Sequence, residues 1–383
     1  VEDRRGSDPA RDIRIVEVTS SAQLNDFIEF PLRLYRDDPL YTPQLCSDQR
    51  AHFSAKNPFF EHAEVAFFLA YKDGRIAGRI AAIINNLHLE VQKEKTGFFG
   101  FFESVNDYGV AAALLDTVNG RLSAKGLGIM RGPMNFSTNE ECGFLIEGYN
   151  EAAILMMPYN PPYYNDLVTA YGMRKAKDLH AYIKNITGKN DLPEKLYRVA
   201  AIAEKKGVIA REVTKDYFEK AMRDFMDIYN AAWEKNWSFV PITEGEIAYT
   251  AKLLKPLVVP DLTIVAEYDG RPAGFMCMVP DYNFVLRKMG GKLNPVTVIK
   301  ALYYSRKITD LRMMLLGIKP EFRNRGVDAL LYREGFKGVR RGGYKRVDFS
   351  WILEDNYDII RHTEMINAPL YKRYRIYEKE ICS

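Results

Sequence analysis

The residues best suited by type and spacing to do chemistry lie between positions 311 and 329. An apolar run, 311–318, ends in Leu316, Gly317 and Ile318. Lys319-Pro320-Glu321-Phe322-Arg323-Asn324-Arg325-Gly326 then leads into a helical pattern opening with Val327, Asp328 and Ala329. A turn of this composition at a helix start is an anion cradle. Unpaired backbone N–H groups and the positive end of the helix point at a phosphate, glycine permits close approach, and arginine adds charge. Asp328 in the first turn suits the helix dipole, and beside a bound diphosphate its carboxylate is repulsive unless it turns away.

The elements that must position this turn are repeated. Asp73-Gly74-Arg75-Ile76-Ala77-Gly78 returns as Asp269-Gly270-Arg271-Pro272-Ala273-Gly274, each after an apolar run ending in Tyr. Asp-Gly between strand-like runs supplies the positive φ of a tight hairpin turn. An amphipathic helix precedes each hairpin, with Leu24, Phe27, Ile28 and Leu34 in the first copy. In the second, Phe218, Met222, Phe225, Met226, Tyr229, Ala232 and Trp233 form the stripe. A strand, a helix and another strand follow each, so the repeat is a whole domain. A polar connector, 185–193, places the boundary near Thr187 and gives domains 11–187 and 195–383.

Composition agrees with two soluble cores. The chain has 383 residues, 47% apolar and 27% charged, and its net charge of +4 does not suggest a nucleic-acid surface. Cys46, Cys142, Cys277 and Cys382 are widely spaced, which fits a reducing, cytoplasmic setting better than a disulfide framework. The five histidines show no zinc spacing, so no metal is expected.

The turn with Arg323 and Gly326 resembles the pyrophosphate-binding motif of Gcn5-related N-acetyltransferases, Q/R-x-x-G-x-G/A; Asp328 departs from it at the third position. The order of elements on both sides is similar too. The resemblance implies an α/β (α+β) fold of two tandem domains, each a mixed, mostly antiparallel sheet flanked by helices. It implies an N-acyltransferase using acetyl-CoA or a longer acyl-CoA, with residues 316–318 and 323–329 holding the coenzyme. The first domain's turn, 103–109, carries two acids and no arginine. It is expected not to hold a diphosphate and to serve structure or the acceptor.

Such chemistry needs a neutral amine, a proton acceptor and oxyanion stabilisation. No carboxylate lies within the strand 313–318, so Glu354 and Asp355, after the next strand, are the candidate bases and Asn356 the positioning group. Tyr357 or Tyr374 would protonate the thiolate, since Thr363 stands where relatives carry tyrosine. In the first domain Asn135, Ser137, Glu140, Glu141 and Tyr159 are candidates for the amine acceptor.

The stretch between Asp281 and Asp310 is longer than its connection needs and reads as a basic amphipathic helix opening at Asn294 and Pro295. It suggests peripheral membrane contact through 284–307 and a long-chain or lipid-like donor or acceptor, as in ceramide-forming or N-acyl amino acid acyltransferases. A non-catalytic ligand-binding module and an aminoacyl-tRNA-dependent transferase remain alternatives; the latter wants a helical arm, and no sustained heptads occur.

Overall fold

The computed structural model describes residues 13–188 and 191–381. Residues 1–12, Lys189 and Asn190 of the connector, and Cys382 and Ser383 lie outside the described residues. The chain forms two compact units that are not consecutive pieces, as a boundary near Thr187 would make them. The first runs to Asp178 and takes in the terminal stretch from Tyr374; the second is Leu179–Arg373.

The first unit contains β1 (Ile13–Glu17), α1 (Ser21–Leu34), α2 (Cys46–His52), β2 (Ala63–Lys72), β3 (Arg75–Asn85), α3 (Asn86–Gln92), β4 (Thr96–Ser104), α4 (Tyr108–Ala124), β5 (Ile129–Gly132), β6 (Phe144–Glu147) and α5 (Tyr163–Ala170). The strand β7 (Arg174–Asn185) leads out of it. The second continues with α6 (Glu194–Lys205), β8 (Val208–Glu212), α7 (Phe218–Trp233), α8 (Glu244–Leu254), β9 (Thr263–Tyr268), β10 (Arg271–Pro280), α9 (Asn283–Met289) and α10 (Pro295–Ser305). It ends with β11 (Asp310–Ile318), α11 (Val327–Arg341), β12 (Arg346–Leu353), α12 (Tyr357–Met365) and β13 (Leu370–Glu380).

The two sheets are built alike. Strand order is β1-β2-β3-β4-β5-β13 in the first and β8-β9-β10-β11-β12-β7 in the second. In each sheet one pair is parallel, β4–β5 or β11–β12. The sixth position is exchanged. The end of β13 pairs with β5 (Tyr377 opposite Gly132), and the second part of β7 pairs with β12 (Asn185 opposite Arg346). Each sheet is thus closed by the strand that ends the other half of the sequence.

Local sequence accounts for the shared parts. Both Asp-Gly turns have positive φ at both central residues: Asp73 51° and Gly74 72°, Asp269 48° and Gly270 72°. This geometry continues the right-handed twist of the paired strands. Ser20 and Gln23 form a reciprocal capping box on α1. In the second unit α11 lays Leu330, Leu331, Phe336 and Val339 over Met276, Met278, Met313 and Val347, all fully or nearly fully buried. Each such side chain stabilises the unit by about 1.5–3 kcal/mol.

Candidate active site

The parallel pair in the second unit opens partway along. β11 and β12 are in register from Asp310 opposite Arg346 to Met313 opposite Phe349. Past that point β11 stays paired only to β10 (Leu316 opposite Met276, Gly317 opposite Phe275) and β12 only to β7 (Ile352 opposite His180). A register shift between Cys277 and Met278 marks a bulge in the β10–β11 ladder, and bulges add twist locally. The backbone edge of 314–318 that faces β12 therefore lacks a strand partner among the described residues. A row of N–H and C=O groups is left to serve an extended polar ligand.

The strand delivers the chain to the expected anion turn. Pro320–Phe322 form a short 3₁₀ turn; Arg323, Asn324 and Arg325 are exposed, and α11 begins at Val327. Asn324 (φ 60°) and Gly326 (φ 77°) take the left-handed conformation that wraps the turn onto the helix end. Arg323 donates to the Ala232 carbonyl at 3.3 Å, and the Arg325 guanidinium lies 5.0 Å from the Tyr268 ring centroid. Val327 and Ala329, in the first turn of α11, are buried and belong to the core. Asp328 faces His362 of α12, 3.5 Å from its Nε2, so this carboxylate is taken up beside the turn.

Gly326 has a second reason to be glycine. A Cβ there would meet Val199 Cγ1 at 3.0 Å, Ala203 Cβ at 3.1 Å and the Val199 carbonyl oxygen at 3.3 Å, all on α6. Gly326→Ala is expected to cost about 1–3 kcal/mol through strain and crowding. A lower thermal midpoint with no ligand present would register it; an unchanged midpoint would show that α6 gives way freely.

On the sheet face toward α7, a buried polar cluster stands where the strands part. Asp348, fully buried on β12, accepts hydrogen bonds from Ser350 Oγ and Tyr371 Oη. Arg312, opposite it in register, donates through Nε (3.3 Å) and Nη2 (3.1 Å) to the Ser350 carbonyl. Burial pushes the Asp348 carboxyl above its usual range, against the lowering influence of Ser350, Tyr371, Arg312 and Lys372. The only sequence signal for this cluster is polar Asp348 and Ser350 alternating within the otherwise apolar strand 347–353. On the same face α7 stacks Tyr229 on Trp233 (centroids 4.8 Å apart) and sets Phe225 against Phe275 (4.9 Å). A Cβ on Gly317 would lie 2.3 Å from the Trp233 ring, so glycine is what lets this aromatic wall rest on β11.

The other expected residues have identifiable places. Glu354 is half-buried just beyond β12. Asn356 caps α12, its side chain accepting from the Ile359 N–H at 3.4 Å. Tyr357 is 65% exposed and Tyr374 is buried in the first unit. Thr363 donates to the Ile360 carbonyl at 2.7 Å. His362, which sequence reasoning did not single out, reaches Asp328, and its Nδ1 has no partner among the described residues.

In the first unit the corresponding opening is filled by its own chain. β4 and β5 pair as far as Phe98 opposite Arg131. Met134 N–H then donates to the Phe99 carbonyl (2.8 Å), and the Asn135 side chain accepts from the Phe101 N–H (2.8 Å). Phe136, fully buried, stacks on Phe59 at 4.8 Å. Ser137 accepts from the Asn139 N–H, and Glu140 pairs with His52 at 3.1 Å. Glu141 reaches Asn135 at 3.5 Å, and Tyr159 donates to Asp38 at 2.5 Å. All five expected acceptor residues are thus engaged within this unit. A buried knot accompanies them: Glu103 accepts from Tyr35 Oη (2.6 Å) and Tyr164 Oη (2.7 Å) and lies 3.6 Å from Arg79.

No protein-family model matches the chain. Protein YghO of Escherichia coli strain K12 is 35% identical over 364 residues, 94% of this chain and 93% of that protein. A bacterial ceramide synthase of Caulobacter vibrioides is 32% identical over 378 residues, 97% and 98% of the two chains. Among solved structures, a tandem GNAT protein from the clavulanic acid biosynthesis pathway aligns over 97% of this chain and 99% of its own, with a TM-score of 0.56 and 11% identity. A Gcn5-related N-acetyltransferase from Sphaerobacter thermophilus aligns over 97% and 96%, with a TM-score of 0.51 and 12% identity. These two structures share the fold, and the two sequence relatives share nearly the whole chain. With these full-length relatives the chain belongs to the family of YghO and the bacterial ceramide synthase, and its paired sheets share the fold of tandem Gcn5-related N-acetyltransferases.

Proposed function

We propose that the protein transfers a fatty acyl group from acyl-CoA to the amine of a long-chain, lipid-like acceptor, using the second unit. The observation that carries this reading is the opened edge of β11 running into an exposed arginine turn at the start of α11. A pantetheine arm is an extended chain of amides that suits an unpaired strand edge, and a diphosphate suits the turn beyond it. The plugged opening of the first unit leaves the second as the one for the thioester. An amide-forming reaction on a long-chain amine is supported by the Caulobacter relative's name, since ceramide is an N-acylated long-chain amino alcohol.

In this reading the amine attacks the thioester carbonyl beside β11, and N–H groups of the free edge receive the developing oxyanion. The proton lost by the amine passes to a carboxylate, and the tetrahedral intermediate collapses with cleavage of the C–S bond, coenzyme A leaving as a thiolate that takes its proton from solvent. Asp348 suits that role because burial raises its affinity for a proton and Tyr371, half-buried, connects it toward the surface. Glu354 is the alternative acceptor at the end of the same strand.

The test is a thermal-shift titration with coenzyme A, acetyl-CoA and palmitoyl-CoA, coupled to an assay of thiol release with long-chain amino alcohols. At a ligand concentration a hundredfold above Kd the expected stabilisation is about 2.7 kcal/mol. Replacing both Arg323 and Arg325 with Ala is expected to weaken coenzyme A binding by about tenfold or more, each arginine–phosphate contact being a charge-assisted bond. No shift with any of the three compounds would leave the ligand-binding-module reading in its place.

A further inference from the structure

The pair α9–α10 presents a surface that neither the fold nor the proposed chemistry uses. Asn294 and Thr297 form a reciprocal capping box, so α10 begins at a defined place. Thr297 is buried, and Tyr304 meets Phe284 of α9 edge-on at 5.9 Å; these mark the inward face. The opposite face carries Val296, Ile299, Leu302 and Tyr303, which are 63%, 68%, 59% and 54% exposed, continued by Leu293 at 61%. Apolar side chains concentrated on the outside of one well-capped helix are unusual for a surface that meets only water.

Basic residues are concentrated in the same stretch of sequence; Arg287 is half-buried and Lys288 lies over the Phe284 and Tyr304 rings, while Lys292, Lys300, Arg306 and Lys307 are exposed. Between Asp281 and Asp310 the sequence has Arg287, Lys288, Lys292, Lys300, Arg306 and Lys307 and no Asp or Glu. The whole chain has 54 basic and 50 acidic side chains, so without these six the remainder is acidic on balance. Lys300 borders the apolar arc, and Lys307 sits 4.1 Å from the Tyr303 ring centroid at its end. An apolar stripe bordered by cations and ending in an aromatic ring matches a bilayer interface, where apolar groups reach the acyl boundary and cations meet anionic headgroups. No helix among the described residues is long and apolar enough to cross a membrane, so the contact would be peripheral.

We infer that α10, with the exposed Lys292, Lys300, Arg306 and Lys307, docks the protein on the surface of an anionic phospholipid bilayer, its axis in the plane of the membrane. This goes beyond the proposed acyl transfer and does not depend on it. A docked enzyme would draw a lipid-like substrate from the membrane on which it sits.

The experiment is co-sedimentation of the full chain with vesicles of phosphatidylcholine alone or with 30 mol% phosphatidylglycerol, taking about 30 mol% as a strongly anionic surface. Partitioning is expected to be on the order of tenfold stronger on the anionic vesicles and to weaken at high salt. Ile299→Glu with Leu302→Glu is expected to abolish it, and Lys300→Glu with Lys307→Glu to remove the preference for anionic lipid. These positions are exposed, so an unchanged melting curve serves as the folding control. Equal binding to neutral vesicles, or none to either, overturns the inference. So does a dimer in size-exclusion chromatography with light scattering that Ile299→Glu dissociates while vesicles are ignored; the face would then join two copies of this chain. Failure of the thiol-release assay leaves the vesicle result intact, so the two proposals fail separately.

Discussion

Glu103→Ala is expected to lower the stability of the first unit by about 3–5 kcal/mol, the range for removing one partner from a buried charged cluster. Tyr35 would keep only the Tyr164 hydroxyl, 3.2 Å away, as an acceptor, Tyr164 would lose its carboxylate acceptor, and Arg79, which also donates to the Phe27 carbonyl at 2.8 Å, would keep a buried charge with no carboxylate beside it. Glu103→Gln can still accept from the tyrosines and is expected to lose less, about 1–2 kcal/mol. Urea denaturation followed by circular dichroism distinguishes the two. An Ala variant within about 1 kcal/mol of the wild type would mean that the knot relaxes or takes in water.

The knot also has a pH signature. Burial raises the Glu103 pKa, against Arg79 and the tyrosine hydrogen bonds, so the folded state holds this proton more tightly than the unfolded chain does. The contribution from Glu103 titration is therefore fully present below the ordinary carboxylate pKa and is lost as pH rises through the higher folded value. The stability difference between wild type and Glu103→Gln should move in the wild type's favour as the solution is acidified across that window.

Asp348→Asn is expected to reduce turnover at saturating acyl-CoA by about 10²–10⁴-fold, the range for losing a general base, while leaving the coenzyme A thermal shift in place. Tyr371→Phe, which keeps the carboxylate but removes the hydroxyl that bonds it, is expected to fall between the two. A merely structural Asp348 would also slow an unstable enzyme, so the pH profile is the deciding readout. With the raised pKa, the wild-type rate should climb on an acidic limb lying above the ordinary carboxylate range. That limb should disappear in the Asn variant. Retention of the rate within about threefold, or an unchanged limb, would leave Asp348 as a pin between strands and direct attention to Glu354→Gln.

Much of the scaffold was legible because it is encoded over short distances. The Asp-Gly hairpins follow from two adjacent residues that tolerate positive φ. The stripe on α7 follows from the helical period, and β12 from the run of strand-favouring residues after Arg346. The turn between β11 and α11 was read from glycine and arginine at the end of an apolar run.

The catalytic candidates were less legible. Asn356 reads in the sequence as a polar residue beside two acids, yet its side chain caps α12, while Asn135 supplies the hydrogen bond that helps fill the first unit's opening. The type of residue does not reveal which backbone group it will satisfy. Arg312 lies 38 positions from the Ser350 carbonyl it binds, and Tyr35 lies 68 from Glu103. No local period records either meeting.

The sequence by itself determined the repeated hairpins, the helical faces, the anion turn and the concentration of cations and apolar residues between Asp281 and Asp310, because each depends on neighbouring residues and one backbone geometry. Only the tertiary structure decided that β7 and β13 each close the sheet of the other half, that one parallel pair opens while its counterpart is filled, and that Asp348 is a buried acid and Glu103 a partly buried one. Those outcomes depend on which distant strands satisfy one another's backbone groups and on which charges lose contact with water. They emerge when the whole chain competes for the same partners.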